Sequence, residues 1–489
     1  MNTYKTLFTH WLKKTIAVIL ALNYLSGCSG NLKETGTEFE APNILIIMPD
    51  QWRGFDLGCM GNKDVLTPNI DRLAAEGLLI KNTFANTPVC CPARANLLTG
   101  KFAHSNGMTA NDLRLREQEV TIAEILKENG YRTGFIGKWH LDGGVRQPGY
   151  IPPGPRRQGF DFWAANECSH NHFNTEYFRN EPQPIPIDTF EAVTWFDQAI
   201  EFINNDSDQP FFLMIAPGPP HNPYKAPEVY SQLYDLEKLT MRRNWQPGVK
   251  RGSKEEIAEY YGMMTAVDDQ VGKLLSALEV NDLEENTVVL FTSDHGDMLG
   301  SQGHFFKRKP WEESIRIPGI IKYPSKIKPG ETEALFSHVD MAPTLLSFAG
   351  VTASKEIQGQ DLSSVFTGEI KKGPASVYFE IMGPYEAGNI KDAWRGVRTQ
   401  QYMYATFENE PWILYDVSSD PFELKNLAQI DESANLREQF DDEINRWMEK
   451  TNDAWSLNWK ILAEDKGKLY KAGDPVFYSV EEYIEYRDK

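Results

Sequence analysis

A short segment near position 90 combines a reactive side chain with an unusual spacing. Cys90 is followed by Pro92 and Arg94 within residues 87–100, whose sequence is TPVCCPARANLLTG. Zinc sites commonly space their cysteines as CxxC, and this segment does not. A proline just after the cysteines is also compatible with the first turn of an ordinary helix. The segment therefore predicts either a functional cysteine or two small thiols buried at a helix start.

Two further pairs of polar residues directly follow apolar runs of strand length. Asp50 and Gln51 follow residues 43–48, and Asp294 and His295 come just after residues 287–292. Open α/β sheets bind ligands beyond the carboxyl ends of their strands, where these side chains would lie. Carboxylate and carbonyl oxygens are the ligands that Ca²⁺ prefers. Taken singly, each aspartate could equally cap a helix.

The elements that would position these residues alternate between strands and helices up to about residue 380. Continuous apolar runs indicate strands covered on both faces, as in a parallel sheet. Strands are predicted at residues 43–48, 132–138, 210–216, 287–292 and 317–323. Helices are predicted at residues 67–77, 121–130, 188–205, 254–279 and 339–349. The alternation predicts an α/β fold, with a large, mostly parallel or mixed sheet flanked by helices.

Two regions depart from this alternation. Residues 141–187 have no clear period and predict a long functional loop region. Toward the C-terminus, aromatic alternating runs at 394–405 and 411–417 predict an antiparallel hairpin, and residues 433–451 predict a helix. We therefore divide the chain into a larger α/β domain at 42–385 and a smaller α+β subdomain with an antiparallel sheet at 386–489.

The N-terminus has the features of an export signal. Three lysines precede a short apolar stretch at residues 15–25, which is too short for a comfortable membrane span. The stretch ends in LSGC, which resembles a bacterial lipobox with Cys28 as the lipidated residue. This predicts a signal peptide at 1–27, a tether at 28–41, and a lipid-anchored protein in the periplasm or on the cell surface. An ordinary signal peptide with an incidental cysteine is the alternative.

The composition limits the classes of function. With 489 residues, of which 41% are hydrophobic, the chain can bury a large core. A net charge of −19 argues against a broad nucleic-acid-binding surface, because phosphate backbones require clustered lysines and arginines. An acidic protein can still accept an anionic substrate if its pocket is locally basic.

Together, these motifs resemble those of the type I sulfatases of the alkaline-phosphatase-like superfamily, in particular the bacterial lipoprotein carbohydrate sulfatases. Residues 87–100 are similar to the family motif C-x-P-S-R-x-x-x-L-T-G. The segments GKWH, with Lys138 and His140, and SDHG, with Asp294 and His295, are also similar to family segments. The resemblance covers roughly residues 41–430 and departs from the motif at Ala93, where the family usually has serine.

The resemblance implies a modified residue and a metal ion. Cys90 would be oxidised to formylglycine by a formylglycine-generating or anaerobic sulfatase-maturating enzyme. Ca²⁺ would be bound by Asp50, Gln51, Asp294, His295 and the modified residue 90. The resemblance also implies the alkaline-phosphatase-like sulfatase fold.

The resemblance further implies a catalytic set around the sulfate. Arg94, Lys138 and Lys307 would neutralise the sulfate together with the metal. We predict His221 as the acid that protonates the departing alcohol and His140 as the base that allows sulfate to leave. A solvated lysine or a structurally satisfied histidine is the alternative at each position.

The substrate is predicted less directly. An exported sulfatase with a polar and aromatic loop suggests sulfated glycans, although such a loop could also pack its aromatic residues without lining a site. The candidate substrate contacts are Glu167, His170, Asn171, His172 and Glu312. We predict hydrolysis of sulfate monoesters on sulfated carbohydrates. The alternatives are a phosphodiesterase or phosphonate monoester hydrolase of the same superfamily, or a non-catalytic Ca²⁺-dependent glycan-binding lipoprotein.

Overall fold

The computed structural model describes residues 40–143, 146–205, 207–382 and 393–455, together with the backbone of two short strands near the C-terminus. The predicted signal peptide and Cys28 lie outside the described residues. Within the described residues, no helix combines the length and the apolar composition needed to cross a membrane.

The secondary structure alternates as the sequence predicts. The strands are β1 Asn43–Ile47, β2 Leu78–Phe84, β3 Arg132–Lys138, β4 Phe162–Asn166, β5 Thr175–Tyr177, β6 Ile185–Ile187, β7 Phe211–Ala216, β8 Thr287–Phe291, β9 Arg316–Ile317, β10 Ile320–Lys322, β11 Gly330–Ser337, β12 Val377–Ile381, β13 Trp394–Arg398, β14 Tyr402–Phe407, β15 Glu410–Asp416, β16 Leu469–Tyr470 and β17 Val476–Phe477. The helices are α1 Pro68–Glu76, α2 Cys90–Thr99, α3 Ala103–Asn106, α4 Ile122–Glu128, α5 Glu191–Ile203, α6 Glu228–Ser231, α7 Lys254–Val280, α8 Glu312–Ile315, α9 His338–Phe348, α10 Ser363–Phe366 and α11 Ala434–Thr451.

A large mixed sheet forms the centre of the fold. Its strand order is β11-β2-β10-β8-β1-β7-β3-β4, and β9 pairs with β2. The central strand β1 pairs in parallel with β7 and β8, and β3 pairs in parallel with β7 and β4. The short strand β10 runs antiparallel to both β8 and β2. The predicted mixed α/β sheet is thereby confirmed.

The parallel strands determine where the polar residues of the sequence motifs meet. Because β1, β3, β7 and β8 run in the same direction, their carboxyl ends lie along one edge of the sheet. Asp50 follows β1, Lys138 ends β3, His221 follows β7 and Asp294 follows β8. Residues far apart in the sequence are thus brought to one edge.

Helices bury one face of this sheet. Leu45 of β1 and Leu213 of β7 share a hydrophobic core with Trp195 of α5 and Val267 of α7. The α7 helix begins with a capping box, in which Ser253 accepts a hydrogen bond from the backbone of Glu256 at 3.2 Å. The core side chains of Leu45, Leu213, Trp195 and Val267 are each fully buried.

Two predicted strands are each divided in the structure. The predicted strand at 317–323 is β9 and β10, which are separated by Pro318-Gly319. Proline cannot donate a ladder hydrogen bond, so the strand is interrupted there. The predicted strand at 394–405 is divided into β13 and β14 by a turn. The backbone N–H of Thr399 donates to the carbonyl of Tyr402 at 2.9 Å and closes this turn.

The predicted loop region at 141–187 contains a strand of the large sheet, which corrects the sequence prediction. This strand, β4, pairs in parallel with β3 at the edge of the sheet. Of its five residues, FWAAN, only the two aromatic ones favour a strand, and alanine and asparagine are depleted in strands, so the strand signal in the sequence is weak. Tertiary packing holds it instead, since Trp163 stacks on Phe135 with ring centroids 5.4 Å apart. Strands β2 and β11 were also not predicted from the sequence.

The small sheet is antiparallel, as predicted, with the order β12-β13-β14-β15. Tyr404 of β14 and Leu414 of β15 share a core with Phe440 and Ile444 of α11. The first strand, Val377–Ile381, precedes residue 385, so the sheet uses residues from both sides of the predicted domain boundary. The boundary itself stays a prediction.

Candidate active site

Helix α2 presents Cys90 at its first position. The preceding residue, Val89, is extended, and Pro92 lies in the first turn, where the missing N–H costs nothing. The helix ends at Gly100, whose φ of 63° is in the left-handed region. The positive end of the helix therefore points toward the Cys90 thiol, which is 1% exposed.

The Cys90 side chain lies among cations. Burial by itself would raise its pKa, but Lys307, Lys138 and His295 outweigh burial and hold the pKa of the Cys90 thiol well below its usual value. Its Sγ lies 3.1 Å from His295 Nε2. An anionic group at position 90 is therefore favoured by this environment.

Two buried carboxylates face two buried cations beside Cys90. Lys138 Nζ donates to Asp50 Oδ2 at 2.6 Å, and Arg94 Nη2 donates to Asp294 Oδ2 at 2.9 Å. Arg94 also lies 3.4 Å from Asp50 Oδ2 and donates to the Lys138 carbonyl at 2.7 Å. Burial and the neighbouring Asp50 carboxylate raise the pKa of Asp294. The network fixes both carboxylates in place while leaving them close enough to repel each other.

The geometry beside these carboxylates fits a cation. The ligand atoms of Asp50, Cys90, Asp294 and His295 all lie within 4.8 Å of one another. Asp50 Oδ1 is buried and has no hydrogen-bond partner among the described residues. His295 Nδ1 donates to the Gly296 carbonyl at 2.9 Å, so the lone pair of its neutral form is on Nε2 and faces the cluster. Two carboxylates and one imidazole are suitable ligands for a divalent cation. An oxygen in place of the Cys90 sulfur would make the ligand set better suited to a hard cation.

Gln51 connects this group to a lysine. It adopts a left-handed backbone conformation with φ of 69°, and its N–H donates to Asp294 Oδ1 at 3.0 Å. Its side-chain oxygen accepts a hydrogen bond from Lys307 Nζ at 2.8 Å, and its amide nitrogen donates to Asp297 Oδ2 at 2.5 Å. The structure thus places the predicted ligand Gln51 at the edge of the group, with its oxygen toward Lys307.

Lys307 and His221 form the opposite wall. Lys307 Nζ lies 3.0 Å from His221 Nε2, and because an ammonium only donates, Nε2 must accept. His221 Nδ1 donates to the Asn222 carbonyl at 2.6 Å, so His221 is neutral in this arrangement. Burial and the Lys307 charge lower the pKa of His221 to about 3. His170 stacks on the His221 ring at 4.4 Å.

The structure also separates Lys307 from the nearby Lys309. In the sequence, HFFKRKPWEE is similar to the family stretch G-K-x-x-x-Y-E-E, and with Trp311 in the aromatic position Lys307 is the matching lysine. Lys309 Nζ instead lies 3.4 Å from the Lys307 carbonyl, and burial lowers the pKa of Lys309 to about 8. Lys307 is the one that faces Gln51 and His221.

His140 is held by an aspartate that the sequence analysis missed. His140 Nε2 lies 3.2 Å from Asp112 Oδ1, while its buried Nδ1 has no hydrogen-bond partner among the described residues. Both residues have positive φ, 56° for His140 and 66° for Asp112, a strained conformation that clusters at functional sites. Burial alone would lower the pKa of His140, but Cys168, Cys91 and Asp112 raise it well above its usual value. Asp112 lies in an irregular segment without a motif, so no sequence signal marked it.

These groups surround a cleft of about 160 Å³. Its wall is formed by Cys90, Asn111, His140, Arg146, His170, His221, Asn222, Phe306, Lys307 and Arg308. None of these wall residues is an aspartate or a glutamate. Five of these wall residues were not predicted from the sequence: Asn111, Arg146, Asn222, Phe306 and Arg308. The cleft is therefore cationic in a protein whose net charge is −19.

Only one of the five predicted substrate contacts, His170, belongs to this wall. Glu167 is buried, and both of its carboxylate oxygens accept from the Asp142 N–H at 3.1 Å. Burial raises the pKa of Glu167 to about 8. Asn171 is exposed and closes a turn by accepting from the N–H groups of Phe173 at 3.2 Å and Asn174 at 3.1 Å.

The other two candidates, His172 and Glu312, contact residues that surround the site. His172 contacts Glu191 Oε1 through Nδ1 and the His221 carbonyl through Nε2, both at 2.6 Å, and so fixes the His221 backbone. Glu312 accepts from Arg398 at 2.8 Å and from Arg316 at 3.2 Å, which joins α8 to the small sheet. Neither side chain belongs to the cleft wall, and each connects neighbouring parts of the fold.

Comparison with known proteins agrees with this geometry. The sulfatase family model matches residues 42–351, and a model described as N-sulphoglucosamine sulphohydrolase, C-terminal, matches residues 300–450. The ulvan-active sulfatase of Formosa agariphila is 36% identical over 450 residues, covering 90% of this chain and 88% of that protein.

Solved structures show the same architecture. One protein, in complex with its substrate D-glucosamine-2-N,6-O-disulfate, aligns with a TM-score of 0.71 at 27% identity, covering 84% of this chain and 98% of that one. The phosphonate monoester hydrolase of Agrobacterium radiobacter has a TM-score of 0.71 at 22% identity, over 84% of this chain and 96% of that one, and so shares the fold. With its family match across most of the large-sheet region, the chain belongs to the sulfatase family, the sulfuric ester hydrolases of the alkaline-phosphatase-like superfamily.

Proposed function

We propose that this sulfatase hydrolyses sulfate monoesters on glycans, with formylglycine formed from Cys90 and a Ca²⁺ ion held by Asp50, Asp294 and His295. One observation carries the proposal: the Cys90 side chain, at a helix N-terminus, converges with three metal-type ligands at the base of a cationic cleft. Gln51 lies beside this group and is included in the proposed site. The glycan substrate is supported by the names of relatives, such as the ulvan-active sulfatase.

The residues of the chain would bind and orient the sulfate. When present, formylglycine supplies a nucleophilic oxygen and a route to release sulfate, and Ca²⁺ supplies positive charge toward the sulfate oxygens. Arg94 and Lys138 balance the carboxylates of Asp50 and Asp294, which keeps these available as metal ligands. Lys307 sits on the cleft wall, where its ammonium can donate to a sulfate oxygen.

Proton transfer is assigned to the two histidines of the wall. His140 Nδ1 has no partner among the described residues, while Nε2 is anchored by Asp112, so in the neutral form of the ring Nδ1 can accept a proton. His221 is neutral when Lys307 donates to its Nε2. A bound sulfate adds negative charge near His221, which raises its pKa and favours the protonated form needed to protonate the leaving alcohol.

The modification is tested by peptide mass spectrometry on protein co-expressed with a formylglycine-generating enzyme. Trypsin releases residues 82–94, which contain both Cys90 and Cys91. We expect this peptide to be about 18 Da lighter than the thiol form, with fragment ions assigning the loss to position 90. Cys91→Ala is the control and should still be converted. An unmodified Cys90 in enzyme that releases sulfate would contradict the proposal.

The metal is tested on the matured enzyme by chelation and by replacement of a ligand. We expect removal of Ca²⁺ to lower sulfate release from an aryl sulfate by at least about 100-fold, and added Ca²⁺ to restore it. Calorimetry should detect one Ca²⁺ per chain in the wild type and none in Asp294→Asn. Full activity after exhaustive chelation would exclude a catalytic role for the ion. The alternative activity, phosphonate monoester hydrolysis, is measured on the same matured enzyme with a phosphonate monoester as substrate.

We also propose that the protein is exported and lipid-anchored through Cys28, in the periplasm or at the cell surface. The proposal is supported by the lysine-rich start, the short apolar stretch and the LSGC sequence. In a bacterial host, metabolic labelling with a fatty acid should mark the wild type but not Cys28→Ala, and Cys59→Ala should remain labelled. Equal labelling of wild type and Cys28→Ala would refute the anchor.

A further inference from the structure

The cleft has a cation at its mouth that none of the proposed catalytic steps uses. The deepest wall residues are buried, with Cys90 1% and Lys307 5% exposed. The Arg146 side chain, by contrast, is 42% exposed and belongs to the same wall. A sulfate at the base would be neutralised by the buried cations, so Arg146 lies where the remainder of the substrate would enter.

Arg146 is held in one orientation by Asp112. Its Nε donates to Asp112 Oδ1 at 2.9 Å, and its Nη2 donates to Asp112 Oδ2 at 3.0 Å. This bidentate contact uses one edge of the planar guanidinium. Nη1 makes no hydrogen bond with the described residues, so the other edge can bind a second planar or tetrahedral anion.

The charge of the wall favours an anion at this position. Arg308 also belongs to the wall, and no wall residue is acidic. A neutral sugar gains little from a pre-oriented guanidinium, whereas a carboxylate or a sulfate forms charge-assisted hydrogen bonds with it. We propose that Arg146 is a specificity residue that binds a second anionic group of the glycan, a carboxylate or another sulfate, next to the sulfate that is cleaved. This inference rests on the proposed glycan sulfatase function.

The shared Asp112 requires a test that separates recognition from positioning. Asp112 also holds His140, so loss of Arg146 could disturb His140 and slow every substrate. A disturbed His140 would affect acidic and neutral substrates alike. Recognition of an anion would affect only substrates that carry it.

The test measures binding to the inactive Cys90→Ala protein by calorimetry. The probes are a sulfated oligosaccharide containing a uronic acid, its carboxyl-reduced counterpart, and a matched pair with two sulfates or one. Each is titrated into Cys90→Ala with and without Arg146→Gln. The control, Arg156→Gln, removes another arginine of the same region that pairs with an aspartate, Asp142, outside the cleft wall.

We expect Arg146→Gln to weaken binding of a doubly anionic probe about 10- to 100-fold, the value of a charge-assisted contact. Binding of its singly anionic counterpart should change less than about 3-fold, and Arg156→Gln should change neither. The pair that responds identifies the anion as a carboxylate or a sulfate. Equal weakening within both pairs, or no weakening in either, would overturn the inference.

The outcome is independent of the proposed chemistry. Binding to Cys90→Ala requires neither formylglycine nor turnover, so a probe difference abolished by Arg146→Gln supports the inference even if Cys90 is never converted. Conversely, matured wild-type enzyme that cleaves an aryl sulfate while all probes bind equally supports the catalytic proposal and refutes the role of Arg146.

Discussion

At the scale of single residues, the site depends on charge compensation in a buried environment. Asp50 and Asp294 are fully buried, and each has a cation within hydrogen-bonding distance. An uncompensated buried charge is very costly, so removal of either cation should disturb both carboxylates. One oxygen, Asp50 Oδ1, remains without a partner among the described residues, which is the position a metal ion would satisfy.

The Asp112–His140 contact gives a prediction at this scale. We expect Asp112→Asn to lower kcat about 10- to 100-fold, since oriented carboxylate–histidine contacts contribute that much. A base must be neutral to accept a proton, and loss of the Asp112 charge lowers the raised pKa of His140. The ascending limb of kcat against pH should therefore shift to lower pH.

The matched control for that prediction is Asp142→Asn. Asp142 is also buried and pairs with Arg156, but it does not contact His140 through any described hydrogen bond. Its pH profile should follow the wild type. If Asp112→Asn showed the same dependence of kcat on pH as the wild type, Asp112 would not act through His140.

At the scale of elements, a buried histidine links three parts of the fold. His104 of α3 contacts Glu380 of β12 through Nδ1 at 2.6 Å and the Thr451 carbonyl of α11 through Nε2 at 3.0 Å. Both partners accept, so both ring nitrogens must carry protons and His104 must be charged. Burial alone would lower the pKa of His104, but Glu380 and the Thr451 carbonyl outweigh it and raise the pKa.

This contact predicts a pH-dependent stability. The folded protein binds the His104 proton more tightly than the unfolded chain, so the stabilisation is complete below the unfolded pKa of about 6.5. It is lost as pH rises through the raised folded pKa. In denaturant unfolding from pH 6 upward, the wild type should lose more stability than His104→Gln, which lacks this proton. Parallel pH curves for the two proteins would contradict the prediction.

The capping box of α7 gives a second prediction for an element. Ser253 is exposed, and its hydroxyl accepts from the Glu256 N–H at the start of a 27-residue helix. We expect Ser253→Ala to lower the free energy of unfolding by about 1 kcal/mol. Thermal unfolding is the measurement, and the exposed Ser207→Ala is the control. A change in Ser253→Ala no larger than in the control would argue against the cap.

At the scale of the whole molecule, burial of Cys90 restricts when it can be modified. The residue is 1% exposed, and its helix lies beside the carboxyl edge of the large sheet. If Cys90 is converted to formylglycine as proposed, the enzyme that converts it needs access to the side chain, which burial in the folded protein prevents. We therefore predict that modification precedes folding.

That prediction is tested by adding a formylglycine-generating enzyme to three substrates. The unfolded chain and a peptide of residues 82–103 should gain the aldehyde, whereas the folded, unmodified protein should not. Mass spectrometry of residues 82–94 measures the conversion. Conversion of the folded protein at the rate of the peptide would show that the segment opens readily.

Much of the large-sheet architecture could be predicted because its signals are local. The apolar runs of β1, β7 and β8 depend only on neighbouring residues, and the structure contains these strands. Strand β4 was missed because the signal for it lies in packing against β3 rather than in its own residues. The divided strands have a different cause, because Pro318-Gly319 and the turn closed by Thr399 interrupt otherwise strand-like sequence.

The sequence by itself determined which residues follow the apolar strands, and this identified Asp50 and Asp294 as candidates, while the family resemblance added Lys138 and His221. The shared direction of neighbouring strands brings these ends together, so order along the chain was sufficient. The family motif around Cys90 carried the chemistry of that position.

Only the tertiary structure decided the pairings within the site and the wall of the cleft. Arg94 meets Asp294 across 200 positions, and Asp112 meets His140 from an irregular segment. Four of the five predicted substrate contacts, all except His170, lie outside the cleft wall, whereas Arg146, which the sequence did not single out, belongs to it. Such contacts depend on how loops pack on the sheet, and loop packing has no periodic signal in the sequence.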